Sequence, residues 1–521
     1  MKSELPAPIF WAGFTASLVF GWWTLPVIEH PMGSDWGHYF TAAEFIWNPI
    51  DGIAYPDFRK PWFGWILGGI GQLFGYLAAG QTIGKLALMA MIGASALAAA
   101  ALADRWAALV ASWTVVLMPL AMDGALWVNH YPLLGATVGL AFAAGAAASR
   151  WPGLGWVAVA GLAAGASWAL DFRGAVAIPV VVALVILGSQ GLGWRMAIGR
   201  VVVLASMMGG LAAHDVWLQR TFDVPQLEVE QQLRVQRKGT LQQIAQGTVG
   251  DDKVRQLCEN EALKSFELSS VMTPCGISLR SSNIQRLASM RLIPAPVVLL
   301  FGILSIIPMA WSRRGLLRSA LAPCIVYLPP LLSIAAGMGW VTYFDRYILP
   351  FTVVLAVFVP VSISRFVGIL PLGRWRGLTS FVLASLVPIL MWPGLDARDL
   401  DAPESARSSE YHAGILAKWV DTSLENGDGV IDCAGLAIDS LLLPSRIDYI
   451  RFPPGDSECI ALVKQPPVHV GRTYLITMHR DIPPHARATD LPFDPRAVEA
   501  VGWVDISEGL PLEGFRLWVA R

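Results

Sequence analysis

Charge is what this sequence has least of. Only 15% of its 521 residues are Asp, Glu, Lys or Arg, whereas a soluble protein carries about 25%. The formal net charge is −1, which gives no electrostatic case for nucleic acid or for an acidic partner. HExxH, the P-loop, GxSxG and CxxC are all missing, so the short motifs of zinc proteases, nucleotide hydrolases, serine esterases and dithiol oxidoreductases are excluded as leads. No internal repeat or low-complexity tract stands out beyond Ala/Gly richness, which suits close helix packing in lipid. Met1-Lys2-Ser3-Glu4 leads into an apolar run with no small-residue cleavage pattern after it, so a retained first span is expected.

What is there instead is apolar length. Hydrophobic residues make up 55% of the chain, the mean hydropathy is +0.52, and runs of roughly 18 residues or more recur. These features predict a polytopic α-helical membrane protein. Candidate spans fall near residues 8–28, 83–103, 106–122, 131–149, 154–170, 174–190, 199–217, 293–311, 317–337, 346–367 and 377–393. The stretch 61–79, "PWFGWILGGIGQLFGYLAA", is also apolar and leaves the count open. Basic residues of short loops decide orientation. If 61–79 lies along the outer face, then Arg105, Arg150, Arg195 with Arg200, Arg313-Arg314 with Arg318, and Arg374 with Arg376 all share the side of Lys2. That side is then cytoplasmic, and about eleven spans is the expected count.

Under this threading residues 1–393 form the membrane part, with a first outer loop at 29–82 and an outer helical segment at 219–292. Residues 394–521 form an extracytoplasmic α/β domain. In it "GVIDC", "SRIDYIRF", "RTYLITM" and "GFRLWVAR" read as strands, and "SSEYHAGILAKWVDTSL" has helical spacing. Five cysteines are present. Cys258 and Cys275 share one outer segment and Cys433 and Cys459 the other, which predicts two local disulfides in an oxidising compartment.

Ionisable groups at a membrane boundary are costly unless paired, hydrated or functional. The outer side gathers Asp35, Arg59-Lys60, Lys85, Asp123, Asn129, His130, Asp171 with Arg173, His214-Asp215 and Asp345-Arg346. Carboxylates and cations on one face suit a reaction on an amphiphilic phosphate: a base for a nucleophile, cations for a phosphate leaving group. Plainer readings stand beside these. Asp35 equally suits the N-cap of "DWGHYFTAAEFIW". Arg59 and Lys60 suit interfacial anchors beside Trp62 and Trp65. Asp171 with Arg173, and Asp345 with Arg346, suit local ion pairs, and His130 a turn histidine. His38, His214 and His412 have no metal-ligand spacing.

Taken in order, these parts resemble the GT-C fold of integral-membrane glycosyltransferases that use polyprenyl-phosphate sugars, in the branch of the aminoarabinose transferases and protein O-mannosyltransferases. The stretches that carry the resemblance are "SDWGHYFTAAEFIW", "FRKPWFGWILGGIGQLFG", "PLAMDGALWVNHYPLLG", "GLAAGASWALDFRGAVAIP" and "DRYILPF", over roughly residues 10–360. The resemblance implies Asp35 as general base toward an acceptor hydroxyl, amine or amide. It implies Arg59 or Lys60, Arg173 (where a Lys is usual) and Arg346 as contacts to the donor phosphate, with inversion at the anomeric carbon. His130, Asp123, Trp36, Tyr39, Trp62 and Lys85 are substrate-binding candidates, although a belt of interfacial Trp is an ordinary feature of membrane proteins.

The partners so implied are a polyprenyl-phosphate sugar donor, a lipid, glycan or protein acceptor and membrane lipids, with no nucleic acid. The expected location is a bacterial inner membrane with the C-terminal domain in the periplasm or outside. One departure matters. His130 stands at the best-aligned position of the family's second-loop acid, with Asp123 seven residues earlier. A missing carboxylate weakens a site for magnesium or manganese, which take oxygen ligands, so no obligatory metal is expected. A transporter or flippase of an amphiphilic anionic lipid is the alternative function. It would carry broken-helix repeats in corresponding halves, and none is visible.

Overall fold

The computed structural model describes residues 5–26, 36–48, 60–171, 174–222 without 176, 224, and 349–396 without 369, 373 and 374, together with segments of 416–520. The apolar runs form helices at the expected places: α1 (Ala7–Trp23), α4 (Tyr76–Leu102), α5 (Arg105–Val116), α7 (Tyr131–Arg150), α8 (Leu154–Leu170), α9 (Ala177–Ser189), α10 (Trp194–Thr221), α11 (Thr352–Val367) and α12 (Arg376–Asp396). The connections add α2 (Trp36–Trp47), α3 (Pro61–Phe74) and α6 (Pro119–Gly124). Among the described residues three helices, α4, α7 and α10, are long and apolar enough to cross a membrane. The expected spans 293–311 and 317–337 and the 219–292 segment, apart from its first few residues, lie outside the described residues.

Small residues let the helices approach. The side-chain-free face of Gly161 meets Leu204, and that of Gly165 meets Met208, so α8 and α10 run parallel. A Cβ at Gly84 would lie 2.1 Å from the carbonyl oxygen of Ala125, which makes glycine necessary where α4 passes the segment after α6. Between α3 and α4 the chain turns at Gly75 (φ 84°), a left-handed conformation that glycine adopts without steric cost.

One end of the bundle is basic, and four of its arginines have local tasks. Arg150 donates to the carbonyls of Ala100, Ala101 and Ala103, and Arg365 to that of Leu102, at the end of α4. The buried Arg200 donates to Ala148 of α7 and Gly188 of α9. Arg105 reaches the carbonyl of Leu5. The last carbonyls of a helix have no intrahelical partner and carry its negative dipole end, so Arg150, Arg200 and Arg365 cap helix ends. Asp104 completes this end: it accepts from Ala107 N at 2.9 Å as N-cap of α5, and from Ser364 Oγ of α11.

Both ends of α3 lie at the opposite end. Lys60, its N-cap, contacts the last turn of α8, while Gly80, one turn into α4, packs on Val128 just before α7. The helix therefore runs across the bundle end, consistent with the threading in which 61–79 does not cross.

The C-terminal segments form a five-stranded mixed sheet in the order β2-β1-β3-β5-β4: β1 (Gly429–Asp432), β2 (Asp448–Arg451), β3 (Thr473–Met478), β4 (Trp503–Asp505) and β5 (Phe515–Ala520). Strands β2, β1 and β3 are parallel, and β5 and β4 are antiparallel. Helices α13 (Ser457–Lys464) and α14 (Pro495–Ala500) lie between strands. Alternation assigns the faces: Ile431, Leu475 and Trp518 pack in one cluster, and Val430, Tyr474, Ile476 and Leu517 in another. Cys433 and Cys459 form a disulfide, with Cα atoms 5.9 Å apart, which ties the end of β1 to α13. Cys258 and Cys275 lie outside the described residues.

Asp505 on β4 is held off its ordinary titration. Desolvation raises its pKa, but hydrogen bonds from Ser507 and the Arg516 guanidinium outweigh that and hold it below the usual carboxylate range. A depressed folded-state pKa contributes stability above the unfolded pKa, and the contribution disappears as pH falls through the folded one. The pair is part-exposed, so the effect is about 1 kcal/mol or less. Acid unfolding followed through the sheet's tryptophans should show Asp505→Asn less stable than wild type at neutral pH and equal to it in strong acid.

Candidate functional site

Among the described residues, polar groups that sequence places on the outer side meet at the end of the bundle crossed by α3. His130 is the N-cap of α7, and Asp171 is the C-cap of α8. Because α7 and α8 are antiparallel neighbours, these two caps meet: His130 Nε2 lies 2.9 Å from Asp171 Oδ2. The other ring nitrogen, Nδ1, is hydrogen-bonded to the hydroxyl of Tyr39 on α2. With the carboxylate accepting from Nε2–H, Nδ1 of a neutral ring accepts from the phenol, a tautomer assigned from the partners. All three side chains are buried, and Phe63 of α3 packs edge-on to Tyr39 with ring centroids 5.1 Å apart.

One turn back along α8 is the second group. Lys60 Nζ donates to the carbonyl of Trp168 at 2.6 Å and to Asp215 Oδ2 of α10 at 2.9 Å. It also stands 4.1 Å from the centroid of the Trp168 ring, within cation–π range. The pair is removed from solvent: the side chain of Lys60 is 9% exposed and that of Asp215 1%. Gln219, one turn along α10, donates to the same Oδ2 at 2.8 Å. Asp215 Oδ1 is buried and has no partner. Trp62 donates its indole N–H to His214 Nδ1 at 3.1 Å, and Trp65 packs edge-on to the same imidazole. The first turn of α3 is thus pinned to α10 through Lys60 and Trp62.

Lys60, His130, Tyr39 and Trp62 of the expected site residues are therefore brought together. Trp62 is a hydrogen-bonded, half-buried ring rather than a free interfacial one. Asp123 ends the short helix α6 and Lys85 faces the Trp22 ring of α1, 5.6 Å from its centroid. Asp35, Arg59, Arg173 and Arg346 lie outside the described residues, as does the side chain of Trp36. Two residues with no assigned role in the sequence reading prove central: Asp171, whose described partner is His130, and Asp215. A carboxylate in an apolar 28-residue helix was the available signal for Asp215.

A divalent ion fits poorly on these atoms. Both ring nitrogens of His130 are engaged, and among the described residues no three His, Cys, Asp or Glu side chains are grouped to hold a metal. What the arrangement offers is a buried cation, a buried carboxylate oxygen with accepting capacity, and an Asp–His–Tyr line able to take up a proton through the phenol.

No protein-family model and no curated protein matches the sequence. Solved structures do match. The oligosaccharyltransferase of Archaeoglobus fulgidus in the apo form aligns with a TM-score of 0.51 at 13% identity, over 90% of this chain and 69% of that one. The same archaeal enzyme in complex with Zn and sulfate aligns at 0.50 and 14%, over 85% of this chain and 62% of that one. This chain has the GT-C fold. ArnT from Cupriavidus metallidurans in the apo state covers both chains almost fully, 99% and 98%, at 14% identity and a TM-score of 0.43. Against the zinc- and sulfate-bound archaeal structure, the GT-C chain described here spans less than two thirds of the other's length.

Proposed function

We propose that this protein is a membrane glycosyltransferase that moves a sugar from a polyprenyl-phosphate-linked donor to a lipid, glycan or protein acceptor on the extracytoplasmic face. The observation that carries the reading is Lys60: an ammonium buried at one end of a GT-C bundle, beside a carboxylate and a histidine line. A buried cation at a lipid-facing boundary needs a functional reason, and a phosphate leaving group supplies one. The A. fulgidus enzyme was solved with an inhibitory peptide and a dolichol-phosphate, in keeping with a lipid-phosphate donor.

In this reading the acceptor attacks the anomeric carbon as the bond to phosphate breaks, with inversion. Asp35, immediately before the first residue of α2, removes or orients the acceptor proton. Lys60, with Arg59, Arg173 and Arg346, stabilises the phosphate that departs with the electron pair. The basic end capped by Arg105, Arg150, Arg200 and Arg365 faces the cytoplasm. The site and the C-terminal sheet face outward, across a bacterial inner membrane.

Mass spectrometry of glycolipids and surface glycans from deletion and wild-type cells tests the activity: one sugar modification should vanish. Asp35→Asn should reduce transfer at least about 100-fold while leaving lipid binding intact. Full activity in that variant removes Asp35 from the mechanism. Movement of labelled lipid across vesicles with no sugar transferred would point to the transporter.

A further inference from the structure

We infer that Asp215 is the specificity residue that distinguishes the sugar-loaded lipid phosphate from the spent one. The inference rests on the glycosyltransferase reading. In the folded chain Lys60 already has partners: Asp215 Oδ2 and the Trp168 carbonyl take two of its hydrogen bonds. Asp215 in turn has Oδ2 shared between Lys60 and Gln219, while Oδ1 is buried without a partner. One N–H of the ammonium is left for a phosphate, and a phosphate that takes more than that draws Lys60 off Asp215. The long, flexible lysine stem permits that movement. It leaves a carboxylate that is 1% exposed facing a second negative charge and with still fewer donors. Removing one partner of a buried ion pair is the costly way to break it.

A bare lipid phosphate, mostly the dianion at neutral pH, has no O–H to offer in return. A glycosylated one does, because a sugar hydroxyl beside the phosphodiester donates a hydrogen bond to the carboxylate as Lys60 moves. The ligand class this pair recognises is therefore an anion with an adjacent O–H donor, a glycosyl phosphate. Asp215 opposes the product as strongly as it welcomes the substrate, so the spent carrier leaves. No bond is made or broken by Asp215.

The test measures binding of undecaprenyl phosphate and of a panel of its glycosyl esters (arabinose, glucose, mannose) to the full-length protein in detergent, taking the tightest ester as donor probe. Wild type should bind at least one ester more tightly than the bare phosphate. Asp215→Asn removes the counter-charge and the charged acceptor together. It should bind the bare phosphate about tenfold more tightly and the donor probe about tenfold or more weakly. Asp215→Glu keeps the charge but moves the acceptor oxygen, so only donor binding should fall. Parallel weakening of both ligands in Asp215→Asn means a merely structural carboxylate and overturns the inference. So does a wild type that prefers the bare phosphate to every ester. If discrimination fails in this way while a sugar modification still disappears from deletion cells, the glycosyltransferase reading survives. If no modification disappears, that reading falls, whatever the binding assay gives.

Discussion

Lys60→Met should abolish sugar transfer and also destabilise the protein, and a second substitution should restore only the second property. The ammonium and Asp215 are 2.9 Å apart and nearly solvent-free. Loss of the cation strands a buried carboxylate whose other oxygen already lacks a partner, which costs about 3–5 kcal/mol. The double variant Lys60→Met with Asp215→Leu replaces the pair by apolar side chains of similar volume. Such replacements are often neutral or stabilising, so its thermal midpoint in detergent should return to the wild-type value or above. Transfer should stay lost in both, because no ammonium remains to stabilise the leaving phosphate. Activity recovered in the double variant would make Lys60 a structural residue and withdraw it from the donor site. The comparison separates folding from chemistry, which a single substitution at a buried ion pair does not.

Much of the bundle was legible because its signal is local. The run 154–170 is α8 residue for residue, and 131–149 and 377–393 differ from α7 and α12 by a few terminal positions. The reading of 61–79 as a helix that stays on one side came from arginine placement alone. The contact of Lys60 with α8 and of Gly80 with Val128 puts both its ends at one end of the bundle. The short edge strand β4 was missed, since three residues of "GWVDI" carry too little alternation to stand out.

The site was legible as an inventory and illegible as a set of pairs. Sequence neighbours made Asp171 with Arg173, and His214 with Asp215, look like units. The folded chain also joins Asp171 to a histidine 41 positions earlier and Asp215 to a lysine 155 positions earlier. Those partnerships depend on α7 and α8 being antiparallel and α8 and α10 parallel. Helix packing direction is not written in local periodicity. It is set by which small-residue faces meet, as Gly161 and Gly165 do on α10.

His130→Ala should be the most damaging single change in the Tyr39–His130–Asp171 line, for a reason that lies in the two residues it leaves behind. Tyr39 comes from α2, His130 from the start of α7 and Asp171 from the end of α8, so the imidazole joins three elements. Deleting it removes a hydrogen bond from a buried phenol and another from a buried carboxylate. At about 1–3 kcal/mol for each buried group that loses this hydrogen bond, more where it is charged, the loss is a large part of a typical domain stability of about 5–15 kcal/mol. His130→Gln retains an amide that reaches one of the two neighbours and should recover part of it. Tyr39→Phe keeps the ring against Phe63 and removes only the hydroxyl with its hydrogen bond to Nδ1, so it should cost about 1–2 kcal/mol. Activity should follow a different order. If the line only braces α2, transfer tracks stability across the three variants. If the phenol shares in moving the acceptor proton, Tyr39→Phe lowers kcat about 100-fold with little change in stability or donor KM. It should then also flatten the acidic limb of the pH–rate profile, because that limb reports protonation of the imidazole to which the phenol passes its proton. Thermal unfolding and kcat measured on the same three preparations distinguish the two.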